Sequence, residues 1–205
     1  MKVLVLGAAG PTGRLFIEQA RAAGHELTAF VRRPGSAAFE GVPVILGDAT
    51  DATAIGRAVP GHDAVVSTLG VRTMSPGALQ ERAMRALVPV MEEAGVRRLI
   101  VMSALGVGVT RAIAPAFPRL MYSLFLRAIF ADKAAGEAIV TASGLDWTIV
   151  HPPLLTNGPV TGRYIATESP ALSGLPKISR ADVAHFMVRA LATGEWSRRR
   201  VIVTG

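Results

Sequence analysis

The chain has 205 residues, half of them hydrophobic and 18% charged, which fits one domain with a buried core and excludes a disordered polymer. Its 22 lysines and arginines outweigh 15 acids for a net charge of +7, yet they are scattered and lack the interleaved aromatics of a nucleic-acid stripe, so no nucleic-acid partner is expected. Cysteine is absent, which excludes disulfides, zinc thiolates and a thiol nucleophile, and a cytoplasmic setting is expected. Residues 2–6 form an apolar run too short for a signal-peptide core and read as a buried strand leading into a glycine loop. Helical periodicity follows over 11–23, closed by Gly24. Strands are expected at 26–31 and 42–46, a short helix at 51–59, a strand at 63–68, a helix at 77–94 and a strand at 97–102. A long helix over about 117–142, a strand at 146–150, a helix at 181–192 and a strand at 200–203 complete the pattern. The apolar stretch 113–130 is broken by Pro115, Pro118, Arg119 and Arg127, so no membrane span is expected. Strands alternating with helices imply an α/β fold, a doubly wound, mostly parallel sheet with helices on both faces in a single compact domain.

The loop Gly7-Ala8-Ala9-Gly10-Pro11-Thr12-Gly13 lies between the first strand and the first helix. In that context Gly7 permits the tight turn, Gly10 lets a pyrophosphate approach the backbone and Gly13 lets helix and sheet pack closely. Pro11 suits the first helical turn, and the N–H groups of Thr12 and Gly13 are free to face an anion. A Rossmann dinucleotide site follows from this arrangement. At the end of the second strand, where an NAD site usually carries an acid, the chain has Arg32-Arg33. Two guanidiniums suit a 2′-phosphate, so NADP(H) is expected over NAD(H). Asp48 ends the third strand and has two readings, as a partner of the adenine amine or as the N-cap of the next helix.

Together with Gly47-Asp-Ala-Thr-Asp51 and Ser67-Thr-Leu-Gly70, these motifs resemble the atypical short-chain dehydrogenases with an NmrA-like, NAD(P)-binding fold. Ser143-Gly-Leu-Asp-Trp-Thr-Ile-Val-His-Pro-Pro153, Thr161-Gly-Arg-Tyr164 and the stretch from Ile178-Ser-Arg-Ala-Asp182 to Met187 resemble the flavin reductase, or biliverdin-IXβ reductase, branch. The resemblance implies that Gly7, Gly10, Thr12 and Gly13 hold the pyrophosphate, Arg32 and Arg33 the 2′-phosphate, and Asp48 the adenine. It further implies that Leu69 and Gly70 line the adenosine half, that Pro152 and Pro153 back the nicotinamide ring, and that residues of about 151–180 form a small substrate-side segment.

Carbonyl-reducing short-chain dehydrogenases use a Tyr-x-x-x-Lys pair, but here Ile129 stands four residues before Lys133. Tyr122 is eleven residues away, about 16 Å along a helix at ~1.5 Å per residue, and cannot serve. Reduction of a flavin tolerates this loss, because the balancing proton can come from solvent. Ser103, at the end of the fifth strand, reads either as a hydrogen-bonding partner of the nicotinamide amide or acceptor, or as a satisfied strand-end serine. Lys133 reads as a donor to the nicotinamide ribose or as a surface partner of Glu137 at i+4. His151 reads as a proton donor to the acceptor or as a packed histidine. Met121, Tyr122, Phe125 and Phe130 read as core or, with residues 105–109, as the apolar wall of an acceptor pocket. Arg198-Arg199-Arg200 reads as a solvated run.

The function expected is therefore NADPH-dependent reduction of a small, flat, conjugated acceptor: a free flavin, a quinone-like molecule or a tetrapyrrole. The alternative is a non-catalytic, NmrA-like NADP(H) sensor that binds a protein partner, although only about 55 residues follow the sixth strand, fewer than such regulators tend to carry. Nucleotide-sugar chemistry ranks last, since it would want the missing Tyr-Lys pair.

Overall fold

The computed structural model describes residues 1–34, 39–70, 78–113 and 126–205. Among them the order is β1 (Lys2–Leu6), α1 (Pro11–Ala22), β2 (Glu26–Val31), β3 (Val44–Leu46), α2 (Ala52–Ala58), β4 (Ala64–Ser67), α3 (Leu79–Glu93) and β5 (Arg98–Met102). A 3₁₀ turn (Gly108–Ala112), α4 (Arg127–Ala142), β6 (Asp146–His151), β7 (Leu154–Thr156), β8 (Ile165–Thr167), β9 (Lys177–Ser179), α5 (Arg180–Thr193) and β10 (Arg199–Thr204) follow.

The main sheet runs β3-β2-β1-β4-β5-β6-β10-β8, parallel throughout except for β8, which pairs antiparallel with β10. Strand order reverses between β1 and β4, which opens a crevice at their carboxyl ends. Both faces of the central strands are buried. Val3 and Val5 of β1 enter one core with Phe16, Ile17 and Ala20 of α1 and Val183, Ala184 and Met187 of α5. Leu4 and Leu6 enter the other with Ile55 of α2, Met84, Leu87 and Met91 of α3 and Val140 of α4. Burial on both sides explains why these strands are continuous apolar runs rather than alternating ones.

The doubly wound α/β architecture is thus as the alternation of elements predicts. Three short strands, β7 to β9, add to this pattern; β8 directly follows the Thr161–Tyr164 motif, and β7 and β9 form a separate parallel pair at the substrate-side segment. Each is three residues long, too short to show a period. The predicted long helix begins at Arg127; its expected earlier part, and Met121, Tyr122 and Phe125, lie outside the described residues. Among the described residues no helix is long and apolar enough to cross a membrane.

Candidate functional site

The glycine loop joins β1 to α1 at the strand-order reversal. Gly7 has φ +76°, and a Cβ there would lie 2.8 Å from the Thr68 carbonyl carbon. A Cβ on Gly13 would lie 2.8 Å from Thr68 Oγ1 and would collide with the Gly7 carbonyl oxygen. Thr68 Oγ1 in turn donates to the Leu6 and Gly7 carbonyls at 3.1 and 3.2 Å. The turn is held so tightly to the end of β4 that side chains are excluded. Helix α1 starts with Gly10 as N-cap and Pro11 at its first turn, with no side-chain cap and no acid in that turn. Its amino end therefore offers backbone N–H groups and positive potential to an anion, which fits a dinucleotide pyrophosphate.

The ends of β2 and β3 gather charged groups beside this cradle. Arg32 and Arg33 are exposed just beyond β2. Asp48 accepts from Thr50 N and Thr50 Oγ1, each at 2.8 Å, and these bonds hold its carboxyl below the usual range, with Arg32 and Arg82 adding favourable charge. The N-cap reading of Asp48 is corrected: Asp51 caps α2 by accepting from Thr53 N at 2.8 Å, because the turn through Thr50 places Asp51 at the helix start. The sequence reading also missed Arg82, whose Nη2 donates to Thr50 Oγ1 at 3.3 Å from α3. Leu69 is half-buried and its carbonyl accepts from Gln80 Nε2 at 2.6 Å, while the Gly70 Cα faces open space.

A second cluster forms where β5 and β6 end. Ser103 N donates to the Val150 carbonyl at 2.7 Å and Leu105 N to the Pro152 carbonyl at 2.8 Å, so strand-like pairing continues past β5 and holds Ser103 beside β6. Ser103 Oγ donates to Glu137 Oε1, and His151 Nε2 lies 2.9 Å from that same oxygen. Glu137 Oε2 lies 3.9 Å from Arg200 Nε. Glu137 is 5% exposed and His151 0%, and among the described residues His151 Nδ1 is buried without a partner. Lys133 Nζ reaches the Met102 carbonyl at 3.5 Å; burial pulls its pKa down to about 8, against the opposing effect of Glu137 and Asp132. Pro152 and Pro153 are buried next to this group.

Four expectations need correction here. His151 is fully buried with its Nε2 on Glu137, which is the packed arrangement of its two readings rather than an exposed proton donor. Lys133 is not a surface partner of Glu137, since Glu137 is itself buried. Of the expected solvated run, Arg198 and Arg199 are exposed, but Arg200 is only partly so: its guanidinium lies 5.6 Å over the Trp147 ring and 3.9 Å from Glu137. Leu105 and Val107 are core residues rather than a pocket wall, while Val109 is exposed.

Two contacts fix α4 over this cluster. Asp132 accepts from Gln80 N and Glu81 N at 3.0 and 2.9 Å, capping α3 from the neighbouring helix. A Cβ on Gly136 would lie 3.1 Å from the Gln80 carbonyl oxygen, so glycine lets the helices close up.

A model of the NAD(P)H-binding family matches residues 7–194, and the chain belongs to that family. An uncharacterized chloroplastic protein of Arabidopsis thaliana is 30% identical over 96% of this chain and 74% of its own length. A UPF0659 protein of Saccharomyces cerevisiae is 32% identical over 93% of this chain and 87% of its own length. Among solved structures, ChuY, an anaerobilin reductase from Escherichia coli O157:H7, is 26% identical with a TM-score of 0.83 over 99% of this chain and 96% of ChuY. A wide-type short-chain dehydrogenase/reductase from Veillonella parvula, solved in complex with NADP, shares the fold at 18% identity and TM-score 0.81, covering 100% of this chain and 94% of that one. The resemblance to NAD(P)-binding atypical short-chain dehydrogenases is thereby established, and the fold is that of an NAD(P)-dependent oxidoreductase.

Proposed function

We propose that the protein is an NADPH-dependent reductase of a flat, conjugated acceptor such as a free flavin, a quinone or a bilin. The observation that carries this reading is the place of Ile129 one helical turn before Lys133, together with a Ser103 hydroxyl whose hydrogen is engaged by Glu137. Neither the usual tyrosine nor the serine is available there as a proton donor. An acceptor that draws its proton from solvent suits such a site.

Bound NADPH would supply a hydride, and the acceptor would take it with one proton from water. In this reading Gly7, Gly10, Thr12 and Gly13 cradle the pyrophosphate at the α1 amino end, where Pro11 starts the helix without an N–H of its own and leaves those of Thr12 and Gly13 to the anion. Arg32, Arg33 and Arg82 attract the 2′-phosphate, and Asp48 accepts from the adenine amine. Leu69 and Gly70 line the adenosine, while Pro152 and Pro153 back the nicotinamide. Lys133 donates to the nicotinamide ribose, and Ser103 binds the nicotinamide amide. Residues of about 151–180 form the acceptor side. The likeness to ChuY supports a bilin or comparable conjugated molecule as acceptor.

The test is anaerobic single-turnover NADPH oxidation with FMN, with biliverdin and with a quinone, beside a no-enzyme control. Stoichiometric reduction of one of them is the expected result. Bound NADPH that no such acceptor oxidises would overturn the reductase reading and favour a sensor of cofactor redox state.

A further inference from the structure

Glu137 is a carboxylate enclosed in the protein, and burying one without donors is costly. Here Ser103 after β5 and His151 at the end of β6 hydrogen-bond to it, while the Arg200 guanidinium of β10 stands 3.9 Å away as a neighbouring positive charge. Because His151 Nδ1 has no partner among the described residues, the ring's polar contact is with Glu137 alone. The histidine thus fixes the carboxylate, and the carboxylate fixes the serine. A serine hydroxyl has one hydrogen and two lone pairs. With the hydrogen held by Glu137, Ser103 can only accept from a ligand.

We propose that Glu137 is a positioning residue that sets the hydrogen-bonding direction of Ser103, making it an obligate acceptor matched to the carboxamide N–H of the nicotinamide. This inference rests on the dinucleotide reading of the site, in which Ser103 faces the nicotinamide end. Glu137 itself touches no ligand. The serine then favours a cofactor that carries N–H donors on its pyridine substituent and disfavours one that lacks them.

The test compares binding of NADP⁺, of its 3-acetylpyridine analogue, in which a methyl replaces the amide nitrogen, and of 2′,5′-ADP, which has no pyridine at all. The wild type is expected to bind NADP⁺ about tenfold more tightly than the analogue, the size of one lost hydrogen bond with its partner left unpaired. Ser103→Ala and Glu137→Ala should each abolish that preference, and the double variant should show nothing further. Glu137→Gln, which keeps an oxygen to accept from Ser103, should retain most of it. All variants should bind 2′,5′-ADP within about twofold of wild type, since a site-wide collapse would weaken both ends.

Equal wild-type binding of the two dinucleotides would overturn the proposal. So would a preference that survives in Ser103→Ala, or a parallel loss of 2′,5′-ADP binding in folded Glu137→Gln. Should Glu137→Ala fail to fold, wild type, Ser103→Ala and Glu137→Gln still decide the matter. Binding is read without turnover, so failure of the reductase reading in the acceptor assays leaves a separate result.

Discussion

Gly13 and Thr68 are so closely apposed that a Cβ on the glycine would lie 2.8 Å from the threonine hydroxyl oxygen. The glycine loop and the end of β4 are therefore a single packed unit, with Thr68 bonded to two carbonyls of the turn. Gly13→Ala should displace the α1 amino end and cost about 1–3 kcal/mol, the usual penalty of overpacking. Urea unfolding should show the loss, and NADPH binding should weaken with it. Thr68→Ser, which keeps the hydroxyl oxygen that the new Cβ meets, should restore neither.

The arginines at the ends of β2 and α3 lead to a second expectation. Arg32→Asp should weaken NADPH binding by about 1.5–3 kcal/mol, roughly 10–100-fold, while leaving NADH little changed, because only NADPH carries the 2′-phosphate. Arg82→Ala should act in the same direction by a smaller factor. Calorimetric titration of the two dinucleotides measures both; an unchanged NADPH affinity in Arg32→Asp would refute the phosphate assignment.

Lys133 predicts a pH dependence. Burial lowers its pKa to about 8. If its ammonium donates to the cofactor, binding stabilises the protonated form, so affinity is full below about pH 8 and falls as the pH rises through that value. Proton uptake on NADPH binding, read by calorimetry in buffers of different ionisation enthalpy, should emerge as the pH rises through about 8 and vanish in Lys133→Met. Uptake that persists in the variant would assign the proton elsewhere.

Asp132 couples that titration to the packing of α4. Asp132→Ala should remove the cap of α3 and destabilise the protein by about 1 kcal/mol in thermal or urea melts. It should also lower the Lys133 pKa further, since Asp132 is one of the two carboxylates that raise it, and shift the affinity loss to lower pH. A destabilised variant with an unmoved pH limb would separate the two roles.

The geometry of the glycine turn was legible in the sequence because its signals are local. Gly7, Gly10 and Gly13 report a backbone conformation and a close approach, and Arg32-Arg33 stand at a fixed distance along the chain from them. Glu137 was hidden, since a carboxylate four residues after a lysine on a helix ordinarily marks a solvated pair. One clue was present: Glu137 shares its helix face with Gly136 and Val140, both buried. Asp48 misled in the opposite way, because Asp51, three residues on, is an equally good cap and the turn through Thr50 selected it.

By itself the sequence determined the alternation of strands and helices, the parallel sheet they imply and the glycine turn at its centre. Period, propensity and backbone freedom act over a few residues and need no distant partner. Only the tertiary structure decided that Ser103, Lys133, Glu137, His151 and Arg200 meet, that the carboxylate among them is buried, and that the serine's hydrogen goes to it. Those facts depend on how closely α4 settles on α3 and the sheet, which Gly136 and Asp132 control through contacts between segments far apart in the chain.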